Sequence, residues 1–139
     1  IYPFRSGVFF VDDTYNANPD SMLAAIEALS DLQVIKCMVL ADMGELGKKS
    51  GHSHEEVLTE ASQKMEKVFL IGEEFAKASQ KLKVGFHCVN DSLLINEVDN
   101  WIDRQIEFHP SKKVAVWFKG SRFNGLEKVV KRLLKKGLN

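Results

Sequence analysis

The sequence predicts an α/β domain built on a mostly parallel sheet with helices on both of its faces. Five apolar, strand-like segments alternate with five segments of helical periodicity, and the connections between them are short. The segment Val34–Ala41 is almost continuously apolar, which is typical of a parallel strand buried on both faces. Because parallel neighbours need crossover connections, we expect each helix to link two strands in the right-handed sense.

The predicted elements follow one another without a linker or an internal repeat, so we expect residues 1–139 to form a single domain. Strands are predicted at residues 7–12, Val34–Ala41, Lys67–Gly72, Gly85–Val89 and Lys113–Phe118. Helices are predicted at Met22–Leu32, Ser53–Lys64, Glu73–Leu82, from Asp91-Ser92 to Ile102 and beyond, and at Asn124–Lys135. Pro19 suits the first turn of the first helix, with Asn18 or Asp20 as its cap.

The composition argues against several classes of protein. The formal net charge is zero, which does not favour a nucleic-acid or membrane partner. No apolar run approaches the ~20 residues that span a bilayer. Cys37 and Cys88 each lie in an apolar run, and we interpret them as reduced core residues of a cytoplasmic protein. The chain opens on Ile1 without an initiator Met, so we expect a domain excised from a longer protein.

Polar residues follow three of the predicted strands. They occupy Asp12–Asn18, Asp42–Gly47 and Lys119–Arg122, and Gly72-Glu73-Glu74 is a weaker fourth set. The carboxyl ends of parallel strands meet at one edge of a sheet, where open α/β sheets bind their ligands. We therefore expect these loops to form one site.

This site lacks both common means of holding a pyrophosphate. The first turn contains no glycine, so it has no G-x-G-x-x-G fingerprint, which argues against a nucleotide-dependent oxidoreductase. The segment Gly47–Ser50 only imitates a P-loop, because Lys49 follows Lys48 and no glycine lies five residues before Gly47. We expect that the domain can contact a nucleotide but cannot hold the nucleotide's phosphates without help from another domain.

The polar side chains suit a small zwitterion. Asn16 and Asn18 can donate and accept hydrogen bonds. Lys119 and Arg122 can bind a carboxylate, and Arg122 can do so with two parallel bonds. An ammonium group can be received by the carboxylates of the second loop, Asp42 and Glu45.

Three segments carry recognisable motifs: Asp12–Met22 (DDTYNANPDSM), Leu40–Gly47 (LADMGELG) and Phe118–Arg122 (FKGSR), with Glu127 after the last. In this order they resemble the motifs of the C-terminal domain of Mur ligases, and the similarity covers essentially the whole chain. The Tyr-Asn-Ala-Asn form is that of the MurF type. Ala41 stands where the family usually has Gly, and Arg5 does not match the spacing of the family's hinge arginine.

The resemblance implies a Rossmann-like third domain of a three-domain, ATP- and Mg²⁺-dependent ligase of cytoplasmic peptidoglycan synthesis. Such enzymes join D-Ala-D-Ala to UDP-N-acetylmuramoyl-tripeptide, after ATP has activated the terminal carboxylate as an acyl phosphate. The missing N-terminal domain would bind the UDP-sugar, and the missing central domain would carry most ligands of Mg²⁺ and the phosphates. The isolated chain is therefore expected to be inactive.

The resemblance also assigns residues. It matches Asp13 to the aspartate that hydrogen-bonds the ATP ribose. It matches a set of strand-end residues to positions that face the added dipeptide: Asn16, Asn18, Asp42, Glu45, Lys119, Ser121 and Arg122. No catalytic residue and no metal ligand is assigned to this chain.

The residues alone leave structural roles open. Asp12 can cap the turn by bonding backbone N–H groups, and Asn16 and Asn18 can be turn formers. Tyr15 is expected to pack against the first helix. His52 and His54 are expected to be solvated rather than metal ligands, since a metal site needs at least three ligands. His87 and His109 have no visible partners in the sequence. A stand-alone α/β module that binds a small polar ligand without catalysis is the alternative function.

Overall fold

In the computed structural model, which describes residues 1–5 and 7–137, six strands form one sheet with helices on both faces. The strands are β1 (Tyr2–Pro3), β2 (Val8–Asp13), β3 (Ile35–Ala41), β4 (Lys67–Ile71), β5 (Phe86–Cys88) and β6 (Val114–Lys119). The helices are α1 (Pro19–Ser30), α2 (Ser50–Lys64), α3 (Glu73–Leu82), α4 (Asp91–Phe108) and α5 (Leu126–Gly137). The predicted fold class and alternation of elements are confirmed.

The strand order is β1-β2-β6-β3-β4-β5, and the last five strands are parallel. Strand β6, the last along the chain, inserts between β2 and β3. Two short 3₁₀ turns, Gly47–Lys49 and Arg122–Asn124, precede α2 and α5 at the carboxyl edge of the sheet. This order places the ends of β2, β6, β3 and β4 side by side.

The alternation of side chains along the strands divides the core between the two faces. Cys37 and Val39 of β3 contribute to the cluster under α4 and α5, whereas Met38 and Leu40 contribute to the cluster under α1, α2 and α3. All four side chains are fully buried. Burying each large apolar side chain of this kind is worth about 1.5–3 kcal/mol, so β3 anchors both layers.

Several boundaries differ from the sequence prediction. The antiparallel strand β1 was not predicted; its two residues pair with Phe9 and Phe10 at the edge of the sheet. Helix α1 begins at Pro19. The side-chain oxygen of Asn18 accepts a hydrogen bond from the backbone N–H of Ser21, and the Ser21 hydroxyl oxygen accepts one from the backbone N–H of Asn18. This reciprocal capping box explains why Asn18, and not Asp20, caps the helix.

An ion-pair network ties both ends of the described chain to α4. Asp99 is buried. One of its carboxylate oxygens pairs with Arg5 at 2.7 Å, and the other pairs with Lys136 at 3.1 Å. Arg5 also pairs with Asp103. The ion pairs of Arg5 therefore lie with α4 and not with the polar loops at the carboxyl edge.

Both cysteines should resist thiol reagents in the folded protein at neutral pH. Burial raises the pKa of the Cys37 thiol far above its ordinary value, and burial raises the pKa of Cys88 to about 11. Since the thiolate is the reactive form, neither side chain supplies it in the native state. Titration with a chromogenic disulfide should show no reaction before unfolding and two thiols after it. Rapid native labelling of Cys37 would contradict this account.

Among the described residues, none of the helices has the length and apolar character that a membrane span requires.

Candidate functional site

Three of the polar loops converge because their strands are neighbours. Strand β6 lies between β2 and β3, so Asp13 is in register with Lys119, and Lys119 with Leu40. The loops after these strands meet at the carboxyl edge. The turn at Gly72, after β4, lies beside the loop after β3 and completes the group.

Asp13 and Lys119 form the central ion pair of this edge. Lys119 Nζ donates to Asp13 Oδ2 at 2.9 Å and to the carbonyl of Asn16 at 3.0 Å. Trp117 Nε1 donates to the same Asp13 oxygen at 3.1 Å. The Lys119 side chain is 5% exposed and that of Asp13 is 35% exposed. Lys119 thus ends β6 with its ammonium turned inward, whereas we had expected it in the following loop, free for a ligand.

The Asp13 carboxylate is oriented for one further interaction. Both of its described donors bind Oδ2, and no hydrogen bond to Oδ1 is made by the described residues. A partly exposed oxygen held in this way can accept a hydrogen bond from a hydroxyl group. This arrangement fits the ribose contact that the family resemblance assigns to Asp13.

Ser121 links the three loops. Its hydroxyl accepts from the backbone N–H of Gly44 at 3.0 Å and lies 3.3 Å from the carbonyl of Ala17, to which it donates. Its own backbone N–H donates to the carbonyl of Asp42 at 3.1 Å. The residue is 9% exposed. We had expected Ser121 to face the dipeptide, but its hydroxyl is engaged in joining the loops to one another.

Asn124 is a further member of this network, although it belongs to none of the three motifs. Its carboxamide donates to the carbonyls of Asp42 and Ser121, both at 2.8 Å. It lies in the 3₁₀ turn just after the FKGSR motif. In the sequence it is only the first residue of the predicted last helix, and nothing marks it as part of the site.

Asp42 caps helix α3 from a distant part of the chain. Its two carboxylate oxygens accept from the backbone N–H groups of Glu74 and Phe75, each at 3.0 Å, and the residue is 7% exposed. Gly72 permits this approach, since a Cβ there would lie 2.4 Å from Asp42 Cγ. A negative charge at a helix N-terminus is stabilising. The geometry therefore gives Asp42 a structural role in place of the direct ligand contact we expected.

The remaining predicted residues are exposed at the edge. Asn16, Glu45 and Arg122 are open to solvent, and Asn18 uses its side-chain oxygen to cap α1. The guanidinium of Arg122 lies 5.2 Å from the ring centre of Tyr15. Tyr15 is 73% exposed, so the expected packing against the first helix is wrong. The side chains of Asn16, Glu45 and Arg122 are therefore open to a ligand, and Asn18 can offer only its side-chain NH₂ group.

Asp12 stabilises the first turn, although by a different bond from the one expected. Its Oδ1 accepts from the hydroxyl of Thr14 at 2.6 Å, and no backbone N–H of the described residues donates to its side chain. Thr14 is buried, so the bond satisfies its hydroxyl under the turn. The turn is thereby held in shape before Asn16.

A cleft of about 520 Å³ lies between the loop after β3, the N-terminus of α3 and the 3₁₀ turn of Phe123. Glu45, Glu73 and Glu74 contribute acidic groups to its wall, and Lys77 contributes a basic one. A hydrogen bond from the Ser50 hydroxyl lowers the pKa of Glu74, which favours its charged form. The edge thus has two parts. One is the surface that carries Asp13 and Arg122, and the other is this acidic cleft.

The histidines depart from expectation. His52 is exposed, as expected, but His54 is fully buried. His87 has a partner, since its Nε2 lies 2.9 Å from the carbonyl of Gly72. Within residues 1–5 and 7–137, no group of three or more His, Cys, Asp or Glu side chains is arranged to hold a metal ion.

Comparison with known proteins decides the family. The family model described as "Mur ligase, glutamate ligase domain" matches residues 2–122. The chain belongs to the Mur ligase family. Within it, the chain corresponds to the C-terminal domain, in agreement with the fold predicted from the motifs.

Several relatives of this Mur ligase domain are MurF enzymes. A UDP-N-acetylmuramoyl-tripeptide–D-alanyl-D-alanine ligase from Buchnera aphidicola is 35% identical over 126 residues, which cover 90% of this chain and 26% of the relative. A crystal structure of MurF from Acinetobacter baumannii has a TM-score of 0.81 at 27% identity, over 97% of this chain and 29% of that one. MurF from Thermotoga maritima, solved with ADP, has a TM-score of 0.78 at 28% identity, over 96% and 29%. The chain spans about a quarter of the length of these relatives.

Proposed function

We propose that this chain is the C-terminal domain of a three-domain, cytoplasmic MurF-type ligase of cell-wall synthesis. The parent enzyme would use ATP and Mg²⁺ to join D-Ala-D-Ala to UDP-N-acetylmuramoyl-tripeptide. The observation that supports this most strongly is the convergence of three motif loops, similar to those of MurF enzymes, at the carboxyl edge of one sheet. The missing domains would bind the UDP-sugar and most of the Mg²⁺ and phosphate groups.

In this proposal the edge residues divide into two groups. Asp13 binds the ATP ribose through Oδ1, which accepts no hydrogen bond from the described residues. Asn16, Glu45, Arg122 and the side-chain NH₂ group of Asn18 face the dipeptide. Lys119, Ser121 and Asp42 act indirectly, because their polar atoms are already engaged within the domain. They hold the loops in the shape that the ligands require.

The chemistry follows from this division. ATP supplies the phosphoryl group that activates the carboxylate of the tripeptide. This chain's contribution is to orient the nucleotide through Asp13 and to hold the dipeptide, so that its amine approaches the activated carboxylate. Positioning of two reactants can account for ~7–11 kcal/mol of a barrier. This gain from positioning requires loops that are already rigid before the substrates bind. The hydrogen bonds of Ser121 make the loops rigid in this way.

The function is tested by ligation with the full-length parent and with residues 1–139 alone. Mass analysis of the product should show the tripeptide extended by D-Ala-D-Ala for the parent, with ATP consumed. The isolated domain should form no product, since it lacks a P-loop. Product formation by residues 1–139 alone would contradict the proposal.

Arg122→Ala in the parent should weaken the binding of the dipeptide more than the binding of ATP. The guanidinium is exposed, so solvent weakens its contact with a carboxylate, and the loss is worth ~1 kcal/mol, or about fivefold in the KM for D-Ala-D-Ala. Steady-state kinetics should show an unchanged KM for ATP. Arg104→Ala, an exposed arginine near the far end of α4, is the matched control. An equal rise in both KM values would instead indicate a defect in folding or closure.

A further inference from the structure

His54 is a polar side chain enclosed entirely by the domain. None of its surface is exposed, although it lies in the first turns of α2 beside the acidic cleft. Its ring packs edge-on against Phe75 of α3, with 4.6 Å between ring centres. A buried imidazole needs partners for both ring nitrogens.

The nearest partner of each ring nitrogen is a main-chain group, and these two groups fix the position of the proton. The Ser50 hydroxyl also lies 3.3 Å from Nδ1, and the Asp42 carboxylate lies 4.0 Å from Nε2, beyond hydrogen-bond distance. Nε2 lies 3.0 Å from the backbone nitrogen of Met43, which can only donate, so Nε2 must be an acceptor. Nδ1 lies 2.7 Å from the carbonyl of Ser50, which can only accept, so Nδ1 must carry the proton. The arrangement is satisfied by one neutral tautomer of the ring. Doubly protonated imidazole would place two N–H groups against each other at Met43.

Met43 is the centre of the loop that follows β3. Its neighbours Asp42 and Gly44 make the contacts to Ser121 and Asn124 that join this loop to the rest of the edge. The same loop carries Glu45 at φ +58, a left-handed conformation that is uncommon for a residue with a side chain. The loop after β3 is therefore held on one side by the residues that follow β6, and on the other side by His54.

We propose that His54 is a positioning residue for the dipeptide site of the proposed ligase. Its neutral, Nδ1-protonated ring holds Met43, and through it fixes the Asp42–Leu46 loop so that Glu45 faces the cleft. This inference rests on the proposed function for its dipeptide ligand. The bond to Met43 can be tested without that ligand.

The tautomer is measured on residues 1–139 by nitrogen-15 NMR of the imidazole in mildly alkaline solution. The two ring nitrogens should give separate signals, with the proton bound at Nδ1, and the Met43 amide should exchange slowly with solvent. A proton bound at Nε2 would overturn the proposal, because Nε2 could then not accept from Met43.

The functional effect is measured in the full-length parent with two variants of different chemistry. His54→Phe fills the space but removes the acceptor, so the KM for D-Ala-D-Ala should rise roughly tenfold with the KM for ATP unchanged. His54→Gln can return an acceptor near Nε2 and should recover most of the affinity. His52→Gln, at an exposed histidine of the same helix, is the matched control and should behave like the parent.

The outcomes separate this inference from the proposed function. Failure of the unsubstituted parent to ligate would overturn the proposed function, whereas the NMR result would still decide the bond to Met43. Equal changes in both KM values, or no rescue by His54→Gln while both variants stay folded by circular dichroism, would overturn the positioning role.

Discussion

Gly120→Ala should destabilise the domain by about 3 kcal/mol. A Cβ at this position would lie 2.5 Å from the Cβ of Ala41 and 3.2 Å from its Cα. Ala41 ends β3 and is fully buried, and its methyl group is bonded directly to the backbone, so no side-chain rotation can relieve the contact. Forcing a methyl group into a close-packed site costs ~1–3 kcal/mol, and the rigid neighbour places this case at the upper end. Urea unfolding followed by circular dichroism measures the change.

Two matched variants test the steric cause. Gly51→Ala lies in α2 with nothing within 4 Å of its added Cβ, and it should stabilise the domain by ~0.5–1 kcal/mol. Ala41→Gly removes the colliding methyl group, so adding it to Gly120→Ala should recover part of the loss. Recovery should be incomplete because the Ala41 backbone remains close. Simple additivity of the two substitutions would contradict the collision.

Asp13→Ala should lower both stability and nucleotide binding. Among the described residues, it leaves the Lys119 ammonium, 5% exposed, with the Asn16 carbonyl as its one remaining partner. Removing one member of a buried ion pair costs ~3–5 kcal/mol, and the partial exposure of Asp13 places the loss near ~3 kcal/mol. In the parent, losing a hydrogen bond to a charged group should also raise the KM for ATP roughly tenfold. The measurements are urea unfolding of residues 1–139 and steady-state kinetics of the parent.

A double-mutant cycle separates the two effects. Lys119→Met removes the stranded charge, so the double variant Asp13→Ala/Lys119→Met should be more stable than Asp13→Ala alone. Its KM for ATP should stay high, since the proposed contact of Asp13 with the ribose is still missing. Asp12→Ala, at the neighbouring carboxylate that bonds only Thr14 among the described residues, should change the KM for ATP little. A normal KM for ATP in Asp13→Ala would remove Asp13 from the nucleotide site.

The fold was predictable because its strongest elements carry their pattern locally. Strand β3 is apolar on both faces, and the helices repeat apolar residues at helical spacing, so neither depends on distant contacts for its recognition. Strand β1 was missed because two residues that include Pro3 carry no such pattern. It exists only through its pairing with Phe9 and Phe10.

The site was predictable as a set of loops but not as a set of contacts. Asp13 and Lys119 are adjacent because their strands are neighbours in the sheet. The order of the strands cannot be predicted from either segment alone. The sequence therefore predicts Lys119 at the edge but not its inward orientation. The burial of His54 could not be predicted because its nearest partners are backbone groups of Met43 and Ser50, which any sequence supplies.

The most direct test of the MurF assignment is phosphate release by the full-length parent with ATP and UDP-N-acetylmuramoyl-tripeptide. D-Ala-D-Ala and single amino acids should be offered as the second substrate in separate reactions. The account predicts release that requires both the tripeptide and D-Ala-D-Ala, with single amino acids supporting little. Release driven by a single amino acid, with D-Ala-D-Ala inactive, would contradict it and indicate a different member of the Mur ligase family.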